Sequence, residues 1–308
     1  KEKIMQINSL STSFILTADI GGSHITAGIC HLESYSILSQ SITRIEVDGK
    51  GPAESILARW ESAFEQVLQK NITASVSGLS IAMPGPFDYQ KGISYITGLD
   101  KYEALYGLDV KQHLADLLGI DQEVIRFRND AESTIAGEVL NGAGRDYQRV
   151  MGITLGTGLG SAFTENGITK DLNLGSDPYK ETIADDYLST RWFLKRHLEL
   201  TGVALIGGVK ELAVLAQASE IARDIFIEFA NNMSEFLSGP IAQYQPEVLV
   251  VCGNISKASE FFLPHLTKKL NSIPIKLGQL GENAPLIGAA AIFDNHNTAG
   301  ASDSVTKL

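Results

Sequence analysis

The sequence predicts an α/β protein of two domains built on one plan. Three observations carry this. Strands and helices alternate along the chain, each half opens on a strand–glycine turn–strand unit, and 308 residues exceed what one core readily encloses. The first such unit is TADIGGSHITAGI (17–29) and the second is MGITLGTGLGSAF (151–163). Either turn alone is an ordinary hairpin; two of them suggest a ligand gripped from both sides. Ligands of such folds sit where strands end, so a crevice between the domains is the expected site.

Composition narrows the partners. With 44% hydrophobic and 20% charged residues the chain reads as soluble and globular. A formal net charge of −11 argues against nucleic acid, whose backbone is held by clustered Lys and Arg. It leaves a nucleotide open, since that needs only local N–H groups and a metal. Cys30 and Cys252 form no CxxC pair, so two buried thiols in a reducing compartment are expected. No signal-peptide pattern opens the chain and no apolar run is long enough to span a bilayer, so a cytoplasmic protein is expected.

Phe14–Ala18 and Ile25–Cys30 read as paired strands around the first glycine turn. A helix over 52–69 follows, with Ile56, Leu57, Trp60, Phe64 and Leu68 on one face. Ser77–Ala82 reads as a buried parallel strand stopped by the Pro-Gly turn of MPGPFD. Leu108–Leu118 is a predicted helix, Val124–Phe127 a short strand, and Ala131–Leu140 a helix ended by NGAGR. The strand Val150–Leu155 then leads into the second turn, and Ser161–Thr164 leaves it. Residues 165–182 are polar and turn-rich, a predicted surface loop. Glu220–Leu237 is a helix burying Ile221, Ile225, Phe229, Met233 and Phe236, Pro246–Cys252 a buried strand, and Lys257–Leu270 a helix.

The glycine turns point to phosphate. LGTGLG contains G-x-G-x-G, but a dinucleotide fingerprint requires a helix after the glycines, and SAFTENG is a strand and a turn. No Walker P-loop exists in the sequence. What remains is a pair of hairpin tips whose N–H groups can face an anion with no Cβ in the way. Asp19, at the end of its strand, either holds Mg²⁺ through water or bonds its own turn. Ser23 reaches a phosphate oxygen or its neighbouring backbone. In RNDAESTIAGE, Asn129 and Asp130 are either helix N-caps or site residues, Asp130 being placed to act as a general base.

Taken together, DIGGS, AMPGPFD, NDAESTIAGEVLNGAG, ITLGTGLGSAF, QPEVLVVCGN and PLIGAAAIF resemble the ROK family, over about residues 14–293. That name covers repressors, open reading frames and sugar kinases of the actin-like ATPase superfamily. The resemblance implies two actin-like, ribonuclease H-like α/β domains with an interdomain active-site cleft. It implies ATP- and Mg²⁺-dependent phosphorylation of a hexose or amino sugar. Asp130 would be the catalytic base, with Asn129 and Gly85 against the sugar. Asp19, Gly21, Gly22 and Ser23 would form the first phosphate motif and Gly156, Thr157 and Gly158 the second. Cys252, Gly253 and Asn254 would match the adenosine segment, and a homo-oligomer is the common assembly.

Departures from the family pattern are equally specific. Where many members carry E-x-G-H and a cysteine-rich zinc motif, this chain has GSDPYKETIADDYLSTRWF, with neither His nor Cys. No zinc site is expected, and Asp185 is the candidate replacement for a sugar-binding Glu. Lys180 is either a substitute contact or a solvated loop lysine. The Asn that follows the PGP turn in the family is replaced by TGLDKYE, and His24 stands where a Lys is common. Glu138 is expected to support the Asp130 helix, the alternative being an approach to the cleft. His113, His197, His265, Trp192 and Phe193 are expected to be structural.

The resulting expectation is a cytoplasmic sugar kinase with a first domain over residues 1–128 and a second over 129–308, the chain end returning to the first. The alternatives are a ROK-type sugar-sensing regulator and a sugar binder that has lost turnover. The segment before the first strand is expected to be too short for a DNA-binding module.

Overall fold

The structure is a computed structural model that describes residues 13–70, 75–98 and 101–294. The segment preceding the first strand, judged above for a DNA-binding module, lies outside these apart from Ser13, as do Leu99 and Asp100 of TGLDKYE. The chain forms two compact units. The first runs to Asn141 and is rejoined by the chain from Glu282; the second is Gly142–Gly281.

In the first unit, β1 (Phe14–Ile20) and β2 (His24–His31) form the expected hairpin, Ile20 facing Ile25. Strands β3 (Ser36–Ile37) and β4 (Thr43–Glu46) both pair with β2. Helix α1 (Ala53–Lys70) starts after Pro52, whose carbonyl accepts the first helical bond from Ile56. It buries Ile56, Leu57, Trp60, Ala63, Phe64 and Val67 against the sheet. Full burial of each large side chain is worth about 1.5–3 kcal/mol, so this face fixes the helix.

Next come β5 (Leu79–Met83), the small hairpin β6 (Phe87–Asp88) and β7 (Ile93–Ser94), and α2 (Val110–Leu118). Asp109 caps α2 by accepting from the Gln112 N–H at 2.8 Å, and Gly119 ends it in the left-handed region. Strand β8 (Ile125–Asn129) then leads directly into α3 (Asp130–Asn141). The sheet order is β3-β2-β1-β5-β8, with β1, β5 and β8 mutually parallel.

The second unit repeats the plan. β9 (Arg149–Leu155) and β10 (Leu159–Glu165) form the hairpin around the second glycine turn, and β11 (Ile168–Asp171) lines its outer edge. The expected loop over 165–182 is therefore partly ordered. It holds β11 and the start of a two-stranded hairpin, β12 (Pro178–Tyr179) and β13 (Thr182–Ile183), shaped by left-handed residues at Asn166, Asn173 and Lys180. Helices α4 (Thr190–Thr201), α5 (Gly208–Ala216) and α6 (Glu220–Tyr244) follow.

Helix α6 outruns the expected end at Leu237, passing through Pro240. Its last turn is anchored by Tyr244, whose ring meets Phe163 at 5.1 Å and whose carbonyl accepts from Arg149. Ile225, Phe229 and Met233 are buried as expected, but Ile221 is 47% exposed because the apolar face turns through Phe226 instead. Strand β14 (Val248–Cys252), α7 (Ser259–Lys269) and β15 (Ile275–Leu277) complete the sheet β11-β10-β9-β14-β15. Both sheets thus run antiparallel edge, hairpin, then two parallel strands.

Helix α8 (Asn283–Ala290) belongs to the first unit and is buried over its whole length from Ala284 onward. It crosses α3 so closely that a methyl on Gly137 would stand 2.1 Å from Ala284 O. One on Gly288 would stand 1.8 Å from Ser133 O. The Thr17 hydroxyl donates to Leu286 O at 2.8 Å, and Arg128 Nη1 to Gly288 O at 3.0 Å. The expected division after residue 128 would separate β8 from α3. In the structure both lie in the first unit, because this glycine-lined helix pair ties α3 to the strands of that unit. Among the described residues no helix is long and apolar enough to cross a membrane. Cys30 and Cys252 are both buried and form no disulfide.

Candidate active site

Parallel pairing brings three strand ends of the first unit to one edge. Asp19 pairs with Ala82 of β5, and Met83 pairs with Asn129 of β8, so Asp19, the MPGPFD turn and Asn129–Asp130 converge. Two of these features lie more than a hundred residues apart in sequence, and only the strand order joins them.

The first glycine turn closes with the Gly21 N–H on His24 O at 2.9 Å. The N–H groups of Gly22 and Ser23 have no protein partner among the described residues. Neither Gly21 nor Gly22 has a positive φ, so backbone strain does not explain them. Space does: a methyl at Gly22 would meet only the Lys101 side chain, at 3.8 Å, which leaves an open cradle for an anion. The Ser23 hydroxyl lies 3.3 Å from His24 Nδ1. A cavity of about 770 Å³ opens beside this turn, lined in part by Ser23, His24, Arg44, Asp48 and Arg59. Burial, then Arg44, holds the His24 imidazole below its ordinary pKa, so it is neutral at pH 7.

The Asp19 carboxylate makes no hydrogen bond among the described residues. Burial, then Asp130, then Glu282 push it up to about 7, against a smaller opposing pull from Arg44. Asp130 is also raised, chiefly by burial, while its bond from the Ala131 N–H (2.8 Å) and the Lys101 charge act the other way. Two crowded carboxylates beside free N–H groups have the donor chemistry of a Mg²⁺ site, because a divalent cation removes both the repulsion and the desolvation cost. Asn129 caps α3, its Oδ1 accepting from the Glu132 N–H at 3.0 Å. Its Nδ2 donates to Tyr89 OH at 3.2 Å, and that hydroxyl donates to Met83 O at 3.1 Å. Tyr89 OH would also lie 3.2 Å from a methyl on Gly85, so Gly85, Tyr89 and Asn129 form one wall. Tyr89 went unnoticed in the sequence because no motif marks it. Glu138 is buried on α3.

In the second unit the Gly156 N–H closes on Gly158 O at 3.0 Å, and the N–H groups of Thr157 and Gly158 have no protein partner among the described residues. Asp185 accepts from the Leu159 N–H and from Arg191, both at close range. Its Oδ1 would lie 3.0 Å from a methyl on Gly158. Its carboxylate is therefore engaged as a brace of the glycine turn, a role the sugar-contact expectation did not include. Thr190 adds a second brace, donating both its N–H (2.8 Å) and its hydroxyl (2.9 Å) to Gly156 O. Gly253, at φ +87°, lies so close to Leu155 that a methyl would stand 2.3 Å from Leu155 O. This sets Cys252, Gly253 and Asn254 directly behind the turn; the Asn254 Oδ1 accepts from Lys257 at 2.9 Å.

Lys180 is neither of the things its sequence position suggested. Its ammonium donates to Asn232 Oδ1 at 2.7 Å, lies 3.6 Å from Glu235, and faces the rings of Tyr179 and Tyr187 at 5.1 and 5.5 Å. It is a clasp between β12–β13 and α6. Trp192, Phe193 and His197 are buried as expected, the last with Nδ1 2.9 Å from Val203 O.

Comparison with known proteins decides the family. The ROK family model matches residues 15–171, just over half of the chain. The chain belongs to the ROK family. An N-acetyl-D-glucosamine kinase of Haemophilus influenzae is 24% identical, covering 89% of this chain and 97% of that protein. Among solved structures, a ROK family glucokinase from Streptomyces griseus, in complex with glucose and AMPPNP, superposes with a TM-score of 0.74 at 21% identity. It covers 91% of this chain and 98% of that one. A ROK family transcriptional regulator, a homologue of the E. coli MLC protein, superposes with a TM-score of 0.73 at 17% identity, over 91% of this chain and 77% of that one. The fold is the actin-like one shared by this ROK protein and its kinase relatives.

Proposed function

We propose that this ROK protein is an ATP-dependent sugar kinase that transfers the γ-phosphoryl group of ATP to a hydroxyl of a hexose or amino sugar. One observation carries the reading: Asp130 and Asp19 stand together at the strand ends that also present the unpartnered Gly22 and Ser23 N–H groups. A base for a hydroxyl, a carboxylate for a metal and donors for phosphate in one place are the requirements of phosphoryl transfer. The kinase activities named for the relatives support the same reading.

Asp130, ionised, takes the proton of the attacking hydroxyl. Asn129, with Tyr89 and Gly85, orients the sugar. Gly22, Ser23, Thr157 and Gly158 serve as donors to phosphate oxygens. Cys252–Asn254 serve the adenosine. Asp19 would hold Mg²⁺ through water, and the ion, when bound, offsets charge on the phosphates. The regulator relative shares the fold, so fold does not separate kinase from sensor. The candidate site residues support the kinase reading, since a sensor has no need of a base beside phosphate donors.

The test is ADP release with ATP and Mg²⁺ against glucose, fructose, mannose, glucosamine, N-acetylglucosamine and N-acetylmannosamine. At least one sugar is expected to give turnover that Asp130→Asn removes. No turnover on any of them, with sugar binding retained, would instead support a binder.

A further inference from the structure

The charge balance of the first turn is incomplete, and one side chain completes it. Phosphoryl transfer spreads negative charge over the three equatorial oxygens of the moving group. The first turn offers two neutral N–H donors, and it follows Asp19, whose carboxylate feels the charges of Asp130 and Glu282. Arg44 is engaged by Glu282 at 2.7 Å, and the neutral His24 brings no charge. Lys101 is the cation of this group that makes no hydrogen bond or ion pair among the described residues.

Its mounting is not that of a surface lysine. The stem lies along the open face of the turn, Cδ 3.8 Å from where a methyl on Gly22 would stand and Cβ 3.6 Å from one on Gly49. The adjacent Tyr102 holds it there. Tyr102 is fully buried, in the left-handed region at φ +56°, with its ring edge-on to Trp60 at 5.9 Å. Its hydroxyl donates to Gly21 O at 2.5 Å and its N–H to Gly49 O at 2.6 Å. A buried tyrosine that bonds the phosphate turn thus fixes the residue beside it over the Gly22 cradle. The charge of the same ammonium also acts on the Asp130 carboxylate, favouring its ionised form.

We propose that Lys101 is a catalytic residue that contacts the γ-phosphoryl oxygens during transfer, with Tyr102 as its positioning residue. The inference rests on the kinase reading above. The sugar oxygen bonds to the γ-phosphorus as the bond from phosphorus to the β–γ bridging oxygen breaks. That electron pair leaves with ADP, and the hydroxyl proton passes to Asp130. Lys101 offsets the charge on the oxygens in flight.

The experiment uses the full chain and the best sugar from the panel. Lys101→Met is expected to lower kcat about 10²–10³-fold, as removal of a fixed charge-stabilising donor does, with KM for sugar and for ATP within about threefold. Lys101→Arg, which keeps the charge, is expected to recover at least about tenfold of that loss. Tyr102→Phe is expected to lower kcat about tenfold without changing AMPPNP affinity. Binding of ADP with aluminium fluoride, Mg²⁺ and sugar should weaken in Lys101→Met in proportion to kcat, while AMPPNP binding stays unchanged. A Lys101→Met enzyme within threefold of the wild-type kcat overturns the proposal. So does a variant whose only defect is a raised sugar KM, which would make Lys101 a sugar contact. A wild-type chain that phosphorylates no sugar removes the kinase reading itself, and this inference with it, and is seen before any variant is made.

Discussion

Gly21 and Gly156 each donate an N–H back across a hairpin tip, the first to His24 O at 2.9 Å and the second to Gly158 O at 3.0 Å. Beyond that shared geometry the two turns are held by opposite means. The first is braced by a phenol, Tyr102, so its neighbouring carboxylates Asp19 and Asp130 keep open faces at the cost of crowding. The second is braced by a carboxylate, Asp185, which is consumed by the Leu159 N–H and Arg191. Similar sequence patterns therefore serve different purposes. One turn stands beside groups left free to react, and the other is a stiff cradle with its acid locked in place.

The sharpest test of that difference is to neutralise a carboxylate on each side. Asp130→Asn is expected to reduce kcat by about 10³-fold or more with AMPPNP affinity unchanged, since loss of a general base costs about 10²–10⁴-fold. Asp19→Asn should lower kcat about 10²-fold and raise the Mg²⁺ concentration needed for half-maximal rate, read from Mg²⁺ titrations.

Asp19→Asn also carries a stability signature. The folded pKa of Asp19, about 7, lies above the unfolded value of 3.8. Its contribution to stability is fully present below the unfolded value and is lost as pH rises through the folded one. The metal-free Asn variant should therefore be more stable than wild type at pH 8, by on the order of a few kcal/mol, with the gap closing by pH 4. Urea unfolding at the two pH values measures it. Equal stability at both would mean that Asp19 is not under strain.

Asp185→Ala should behave in the reverse sense. It is expected to destabilise the chain by about 1–3 kcal/mol, because the Leu159 N–H loses its partner, and to raise the ATP KM several-fold with a smaller effect on kcat. A thousandfold loss of kcat there would move Asp185 into the chemistry and erase the contrast. The smallest effects separate the glycines themselves. Gly158→Ala sets a methyl 3.0 Å from Asp185 Oδ1 and should lower the melting temperature measurably. Gly22→Ala meets only the flexible Lys101 stem, so the free protein should keep its stability to within about 0.5 kcal/mol while phosphate binding weakens.

Much of this molecule was legible before any coordinates. The apolar face of α1, the two hairpins, and the parallel strands β5 and β14 follow from periodicity and from Gly and Pro punctuation, which act over a few neighbouring residues. The glycine turns stood out because two of them recur between strands, and Asn129–Asp130 through the family resemblance, since Asn and Asp are ordinary residues at a helix start. Other features had no local signal. Ile221 faces solvent because neighbouring packing, not spacing, chose the buried face of α6. Lys180 turns onto α6, and Asp185 turns onto its own glycine hairpin, through contacts between segments 26 to 55 residues apart.

Sequence by itself determined the element types, the doubled strand–turn–strand plan and the candidate residues for phosphate and proton chemistry, since these depend on side-chain type and short-range spacing. Tertiary structure decided which of them meet. The β1-β5-β8 order set Asp19 beside Asp130, the Gly137–Gly288 helix crossing drew α3 into the first unit, and Tyr102 carried Lys101 to the first glycine turn. Each is a contact between distant segments, set by how sheets and helices share a core, and such contacts leave no periodic trace in the chain.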